Sequence, residues 1–421
     1  MIDVIRMTEI AQTQMNGQLH GVSARAQLNM RSDLTQFFSS FFREYDAPVQ
    51  AAAFDLSIGN VCKIPEVHDV LRDALLHIAK HKLSRLTRYP GTQGYYPLNE
   101  KLALLIKKET KMDVSPDELV LTNGGIDGMY GLFYAFCDPG DYVFYSVPSF
   151  PYWSVADKAG IYSSFVAYRN PFDYPTTYGD LFAEKARLNS KIKLALISEP
   201  HNPISKHLEQ AQVRVFRDTC DEQHIQPVLD DVYRSFNEHP WLGTSFDSSL
   251  VIADSFSKRF GMPGLRLGFT RMPKEIVPYF RAPIANQVVG VNLFTALTAD
   301  YVVEQALETK LTEHIAHEIR KRQDMLDLPL RKLGDYGVVS PKPDGGIYRL
   351  LVVDGFCEAT GMTAAEVAAL LAQHGVKMVP ADKIFPPGVR ASQVLRLSVG
   401  GEVNTKNAGK KILEIFREGY R

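Results

Sequence analysis

Cysteine is scarce in this 421-residue chain: Cys62, Cys137, Cys220 and Cys357 are the four, and no two form a Cys-x-x-Cys pair. That spacing argues against a zinc cage and against a disulfide framework, and it reads as buried thiols in a reducing compartment. An excess of one charge is missing too, since 47 lysines and arginines face 48 aspartates and glutamates for a net charge of -1. Neither nucleic acid nor an anionic membrane is offered an electrostatic footprint, so a small-molecule partner is expected. The opening MIDVIRMTEIAQTQ carries Asp3 and Glu9 where a secretory leader needs an apolar run, and a cytoplasmic protein is expected. The uncharged run from Ala282 to Ala299 contains Pro283, Asn286, Gln287, Gly290 and Asn292, which predicts a buried loop and helix in place of a membrane span.

The length suits two domains, or a large one with a smaller satellite. From residue 115 onward, short β-branched or aromatic runs alternate with helix-sized segments: ELVLTNG, DYVFYSVPS, IYSSFVAYR, KIKLALISEP, QPVLDDVY, SLVIADSF and LRLGFTRM. Parallel strands need crossovers of that size, so the pattern predicts an α/β fold with a mostly parallel, seven-stranded sheet flanked by helices. The following ADYVVEQALETKLTEHIAHEIRKRQDMLDLPLRKLG has apolar residues at helical spacing and predicts one long helix. Its basic run, Arg320 to Arg322, is flanked by Glu318 and Asp324 and reads as a solvated helix face. GVVSPKP, GIYRLLVV, GVKMVP and VLRLSVG then read as strands around a helix, TAAEVAALLAQHG. They predict a smaller α+β domain, with 71–309 as the large domain and 1–70 together with 310–421 as the small one.

The chemistry concentrates at predicted strand ends. In SFSKRFGMPGLRLGF, Lys258 directly follows the strand SLVIAD, at the sheet edge where open α/β folds keep their ligand crevice. A lysine there can form a Schiff base once its pKa is lowered. Ser255 and Arg266 flank it with a hydroxyl and a guanidinium fork, both suited to phosphate, and Gly261 and Gly264 let the loop turn between them. A strand ending at Gly124-Gly125 before a helix offers a second phosphate cradle of backbone amides. Two more strand ends supply Asn202 and the group Asp230, Asp231 and Tyr233; an aspartate in this crevice can hold a protonated pyridine nitrogen.

In chain order, the motifs DLSIGN, YPGTQGYYPLNEKLA, TNGGIDGMYGLFYAFCDPGDYVFYSVPSFPYW, SEPHNP, LDDVY, SFSKRFGMPGLRLGF and VLRLSVGG resemble those of the class I/II aminotransferases, pyridoxal-phosphate enzymes of fold type I, from about Asp55 to Ser398. The resemblance implies pyridoxal 5'-phosphate as cofactor and Lys258 as its Schiff-base lysine and proton shuttle. It implies Asp230 at the pyridine nitrogen, Asn202 and Tyr233 at the ring hydroxyl, and Phe150 stacked on the ring. Gly125, Ile126, Ser255 and Arg266 would hold the phosphate, and Tyr89 would reach the phosphate of the neighbouring subunit in a homodimer with shared sites. Arg396 would grip the α-carboxylate of the substrate and Gly59 would close its other side. The implied reaction moves an amino group between an L-amino acid and a 2-keto acid. The alternative is elimination, cyclisation or oxidation of an amino acid by the same cofactor and fold.

Some residues depart from the family pattern. Asn202-Pro203-Ile204-Ser205 stands where Asn-Pro-Thr-Gly is common, and Ile126 replaces a hydroxyl residue. No arginine falls between Asn286 and Asn292 to bind a distal carboxylate, which disfavours an enzyme specific for dicarboxylates. No metal is needed for the implied chemistry; His77 and His81 have helical spacing but no third ligand in view. Phe37, Phe38, Phe41, Phe42 and Tyr45 form one helical stripe and read as a packing face.

Overall fold

The computed structural model describes residues 54–236, 245–246, 249–389, 391–402 and 404–420. The aromatic stripe from Phe37 to Tyr45 lies outside them. Twelve strands are found among the described residues: β1 (Phe54–Asp55), β2 (Leu119–Thr122), β3 (Tyr142–Val147), β4 (Tyr162–Ala167), β5 (Ile192–Ser198), β6 (Gln226–Asp230), β7 (Val251–Ser255), β8 (Gly268–Arg271), β9 (Tyr348–Val352), β10 (Val376–Lys377), β11 (Val379–Pro380) and β12 (Val394–Ser398). The seven runs anticipated after residue 115 become the seven-stranded sheet, ordered β2-β8-β7-β6-β5-β3-β4. Only β8 runs antiparallel to its neighbours; the other pairs are parallel. Every residue of β2, β7 and β8 is buried, as a sheet covered on both faces requires.

Helices α1 (Pro65–His81) and α2 (Tyr96–Thr110) precede the sheet. The crossovers are α3 (Gly125–Phe136), α4 (Tyr152–Ala159), α5 (Tyr174–Leu188) and α6 (Gln210–Gln223), and the short α7 (Phe256–Arg259) leaves β7. Proline in the first turn starts α1, α2 and α5, where its missing N–H costs no hydrogen bond. After β8 come α8 (Val277–Val288), α9 (Leu293–Glu308) and α10 (Leu311–Arg331). The run expected to be a buried loop and helix is the end of α8, a turn and the start of α9, and it is buried only in part: Val288, Val289 and Phe294 are exposed, and burial becomes continuous from Ala296. No helix among the described residues is long and apolar enough to cross a membrane.

The structure corrects several local expectations. The single long helix is two, because Thr309 ends α9 in an extended conformation and turns its hydroxyl back onto the Gln305 carbonyl at 2.7 Å. Arg322, expected on a solvated face, is only 4 % exposed: the helix is amphipathic, and this position of the basic run falls on its buried side. GVVSPKP forms no strand, only a bridge between Val339 and Val352. GVKMVP divides, β10 pairing with β1 and β11 with β12. Cys62 is half-buried, whereas the other three cysteines are buried, and none is bonded to another.

Beyond α10, β12 is the middle strand of an antiparallel sheet with β11 and β9. Around it lie α11 (Asp354–Thr360), α12 (Ala364–Gln373) and α13 (Thr405–Gly419). A capping box starts α12, with Thr363 and Glu366 satisfying each other's backbone amides.

One buried ion cluster ties α2 to the end of β7. Arg259 is 2 % exposed; its Nη1 donates to Glu109 at 2.6 Å, and its Nη2 pairs with the buried Asp254 carboxylate. Arg259→Met leaves Asp254 as an unpaired charge in an apolar setting, and its expected cost is about 3–5 kcal/mol. Urea denaturation of the variant beside the wild type reads this directly; an unchanged midpoint would refute it.

Candidate active site

The carboxyl ends of β3, β5, β6 and β7 share one sheet edge, and a cavity of about 400 Å³ opens there. Gly125, Ile126, Ser255 and Arg266 line one end of it, and Phe150, Asn202, Asp230 and Tyr233 line the rest, with Lys258 among them. A second cavity of about 140 Å³ shares Phe150, Asn202, Tyr233 and Lys258 and adds Gly59 and Arg396. The residues that the family resemblance assigned to the site are therefore brought together, with one exception. Tyr89 is 86 % exposed and lines neither cavity of its own chain. Asp231, next to Asp230 but given no role by the resemblance, also lines neither cavity.

Lys258 sits in α7, whose first turn is fixed by Ser255: the Ser255 hydroxyl accepts from the Ser257 amide at 3.0 Å. The Lys258 Nζ donates to the Gly59 carbonyl. Burial is the main force on its pKa, with the Arg396 and Arg266 charges adding to it, and together they bring the amine down to about 8. An uncharged, nucleophilic lysine is thereby accessible near neutral pH.

The phosphate-like end is built by close approach. Gly124 has φ +91, and a Cβ there would come within 2.7 Å of Arg266 Nη2, so only glycine lets the guanidinium lie against the start of α3. Arg266 itself takes a left-handed φ of +50 and donates to the Pro263 carbonyl at 3.1 Å. The first amides of α3 have no acceptor within the helix, and the helix dipole makes this end attractive to an anion.

Asp230, the last residue of β6, is buried, and that burial raises its pKa. The Tyr152 hydroxyl donates to its Oδ2 at 2.5 Å. Asn202 Nδ2 donates to the Tyr233 hydroxyl at 3.3 Å, and Tyr233 donates onward to Tyr348 at 3.0 Å. Asn202 Oδ1 and Arg396 Nε are buried without a partner among the described residues. Arg396 Nη2 holds the Ser57 carbonyl at 3.0 Å, and its guanidinium lies 4.5 Å from the Tyr348 ring centre. A Cβ on Gly59 would meet the Tyr348 hydroxyl at 2.2 Å.

Tyr152, Tyr348 and Lys383 were not singled out from the sequence. Tyr152 lies two residues past Phe150 in a quoted motif, and only its position at the start of α4 turns its hydroxyl to Asp230. Tyr348 sits in an ordinary-looking strand, and Lys383 ends the single 3-10 turn Ala381–Lys383 beside the second cavity. The altered turn also has a physical account. Ser205 takes the left-handed conformation at φ +58 that glycine adopts at least strain, and its hydroxyl donates to the Tyr348 carbonyl at 2.9 Å. His201 beside it is neutral, its pKa pushed down to about 3 by burial, with Nε2 at 2.8 Å from the Ser146 hydroxyl. His77 and His81 pack ring to ring with centroids 5.1 Å apart, and no group of three or more candidate metal ligands occurs among the described residues.

A depressed lysine at the end of a parallel strand, facing a helix start and an arginine on one side and a buried carboxylate on another, defines an α/β enzyme that handles a phosphorylated carbonyl compound. The family described as aminotransferase class I and II matches residues 53–412, and the chain belongs to it. It is a pyridoxal-phosphate-dependent aminotransferase, moving an amino group between an amino acid and a 2-keto acid. A probable aspartate/prephenate aminotransferase of Aquifex aeolicus is 25 % identical over 314 residues, covering 72 % of this chain and 77 % of the relative. Histidinol-phosphate aminotransferase 2 of Carboxydothermus hydrogenoformans is 28 % identical over 240 residues, covering 54 % and 62 %. The fold is shared with the aspartate aminotransferase of Thermus thermophilus solved with maleate, at a TM-score of 0.78 and 21 % identity over 95 % of this chain and all, 100 %, of that one.

Because burial and two arginines depress it, the Lys258 amine of the cofactor-free protein is expected to titrate near pH 8. Reductive methylation followed by peptide mass spectrometry across a pH series should therefore label Lys258 half-maximally about two pH units below ordinary lysines. Arg396→Gln should move that midpoint upward. Labelling that follows the surface lysines would overturn the assignment.

Proposed function

We propose that the two cavities divide the reaction, the larger holding the cofactor and the smaller the amino-acid substrate. The fit of the cofactor is supported by the groups left for it: the Asn202 Oδ1 atom is buried without a partner among the described residues, Asp230 is buried at the cavity wall, and Arg266 lies against the start of α3. Pyridoxal phosphate, when bound, supplies an aldehyde for Lys258 and a ring that withdraws electrons from the substrate α-carbon. Gly125, Ile126, Ser255 and Arg266 would hold its phosphate, Phe150 would lie against the ring, and Asn202 and Tyr233 would serve its hydroxyl. Asp230, bonded by Tyr152, would be the partner of the ring nitrogen.

Arg396 takes the α-carboxylate of the substrate as a two-pronged partner, with Gly59 closing the other side. Lys258 Nζ then removes the α-proton and returns a proton, a role favoured by the burial that disfavours its charged form. The lysine's position between the phosphate end and Arg396 is the observation that carries this reading. Tyr89, exposed on its own chain, serves the neighbouring site of a cytoplasmic homodimer. The larger domain spans 71–309, and the smaller joins both termini, a division supported by the pairing of β1 with β10.

Against the expectation that a dicarboxylate-specific enzyme is disfavoured, the donor is read as carrying an acidic side chain. Lys383 lines the smaller cavity and is a cation of the kind the 286–292 stretch lacks, with its Nζ 3.3 Å from the exposed Asp382 carboxylate, and the relatives are named for aspartate, prephenate and histidinol phosphate. Lys383→Met should raise KM for glutamate and aspartate about fivefold, the worth of one solvent-exposed ion pair at about 1 kcal/mol, and leave alanine unchanged. An equal change for all three donors would remove Lys383 from substrate recognition.

The roles assigned to Lys258 are tested by mixing the cofactor-loaded enzyme with an amino acid and no acceptor. One equivalent of keto acid per site is expected from the wild type. Lys258→Ala should slow its release by about 10⁴-fold, the loss of a positioned proton carrier. Keto acid at an undiminished rate would exclude Lys258 as the base.

A further inference from the structure

Arg322 has no evident reason to be where it is. It lies in the middle of α10, outside both cavities, and is only 4 % exposed. No carboxylate among the described residues meets it at ion-pair distance; Glu318 and Glu402 act on it only through space, and burial pulls its pKa down. A buried guanidinium without a paired acid is costly unless its donors are satisfied in another way.

They are satisfied by backbone. Arg322 Nη1 donates to the carbonyls of Gly400 at 2.7 Å, Cys62 at 3.2 Å and Val399 at 3.4 Å. Nη2 donates to Cys62 at 3.2 Å and Lys63 at 3.3 Å. The four carbonyls belong to two separate segments. One is the continuation of the loop whose Gly59 carbonyl receives the Lys258 amine and whose Ser57 carbonyl receives Arg396. The other is the continuation of β12, which carries Arg396 itself.

The segments have few bonds of their own, namely Ser398 N to Leu56 O at 2.7 Å and Cys62 N to Gly400 O at 3.0 Å. They also press together closely: a Cβ on Gly400 would stand 2.1 Å from the Asn60 carbonyl. A planar fork with five N–H donors can bridge both at once, which an ammonium cannot do with the same geometry.

We propose that Arg322 is a positioning residue for the substrate carboxylate: it locks the Gly59 loop to β12, and thereby sets the place of Arg396 relative to Lys258. The inference rests on the carboxylate role given to Arg396 above. Removing the fork loosens the substrate end of the site and leaves the phosphate end, which Arg322 does not touch, as it was.

The test uses the cofactor-loaded full chain with Arg322→Lys and Arg322→Met, the lysine variant keeping the charge without the fork. Four quantities are read: KM for the amino acid, the inhibition constant of propionate as a carboxylate with no amino group, the dissociation constant of pyridoxal phosphate, and the melting temperature. KM and the propionate constant are expected to rise together by about 10- to 100-fold, the usual effect of a misplaced grip, with cofactor affinity within about twofold of wild type. If Arg322→Lys keeps the wild-type KM and propionate constant, the fork positions nothing and the proposal fails. If cofactor affinity and melting temperature fall as KM rises, the residue is a general structural support and the proposal fails in that way. Failure of the underlying reading is separate, since it appears in Arg396→Gln: a propionate constant unchanged there would show that Arg396 is not the carboxylate partner.

Discussion

The desolvation of one amine organises this site. Lys258 is enclosed so that its charged form is disfavoured, and the positive groups around it, Arg396 and Arg266, push in the same direction. Each arginine lines one of the two cavities, and the lysine lines both. The same positive groups that lower the lysine's pKa thus leave each cavity attractive to an anion. An anion arriving at either end neutralises part of the field and makes the lysine more basic, so binding and proton affinity are coupled.

Around that arrangement the fold provides rigid supports at short range. Ser255 fixes the first turn of the lysine's helix, Tyr152 fixes Asp230, and Tyr348 stands against Tyr233, Gly59 and Arg396 together. Tyr348 is held in turn through its carbonyl, which accepts from both Ser205 and Gln323. The turn that departs from the family pattern is therefore bonded to the strand behind the smaller cavity, and its serine compensates the left-handed strain with a contact glycine could not make.

The fold class was readable because the β-branched and aromatic runs are separated by helix-sized segments and most are buried along their length, which leaves few alternatives to a covered parallel sheet. The strand-end residues were readable for a related reason: a lysine, an asparagine and an aspartate directly after such runs can only emerge at one edge. Contacts made by the third dimension were not. Tyr348 and Arg322 look, respectively, like a strand residue and part of a charged helix face, and nothing local distinguishes Arg322 from Arg320 until the helix has a buried side. The break at Thr309 was hidden because apolar spacing continues across it; a hydroxyl folding back on its own helix leaves the periodicity intact.

The single reversed strand has a consequence for how the site is assembled. β7 runs toward the crevice, and β8 runs away from it beside β7. The chain between them therefore leaves and re-enters the sheet at the same edge, and Lys258 and Arg266 are both carried on that one bend. A parallel successor would have had to travel to the opposite edge before starting, taking the arginine with it. By turning back at once, the chain places the base and one anion-binding group on a single hairpin tip, so their separation is set by local backbone geometry and is insulated from motions of the sheet's distant strands.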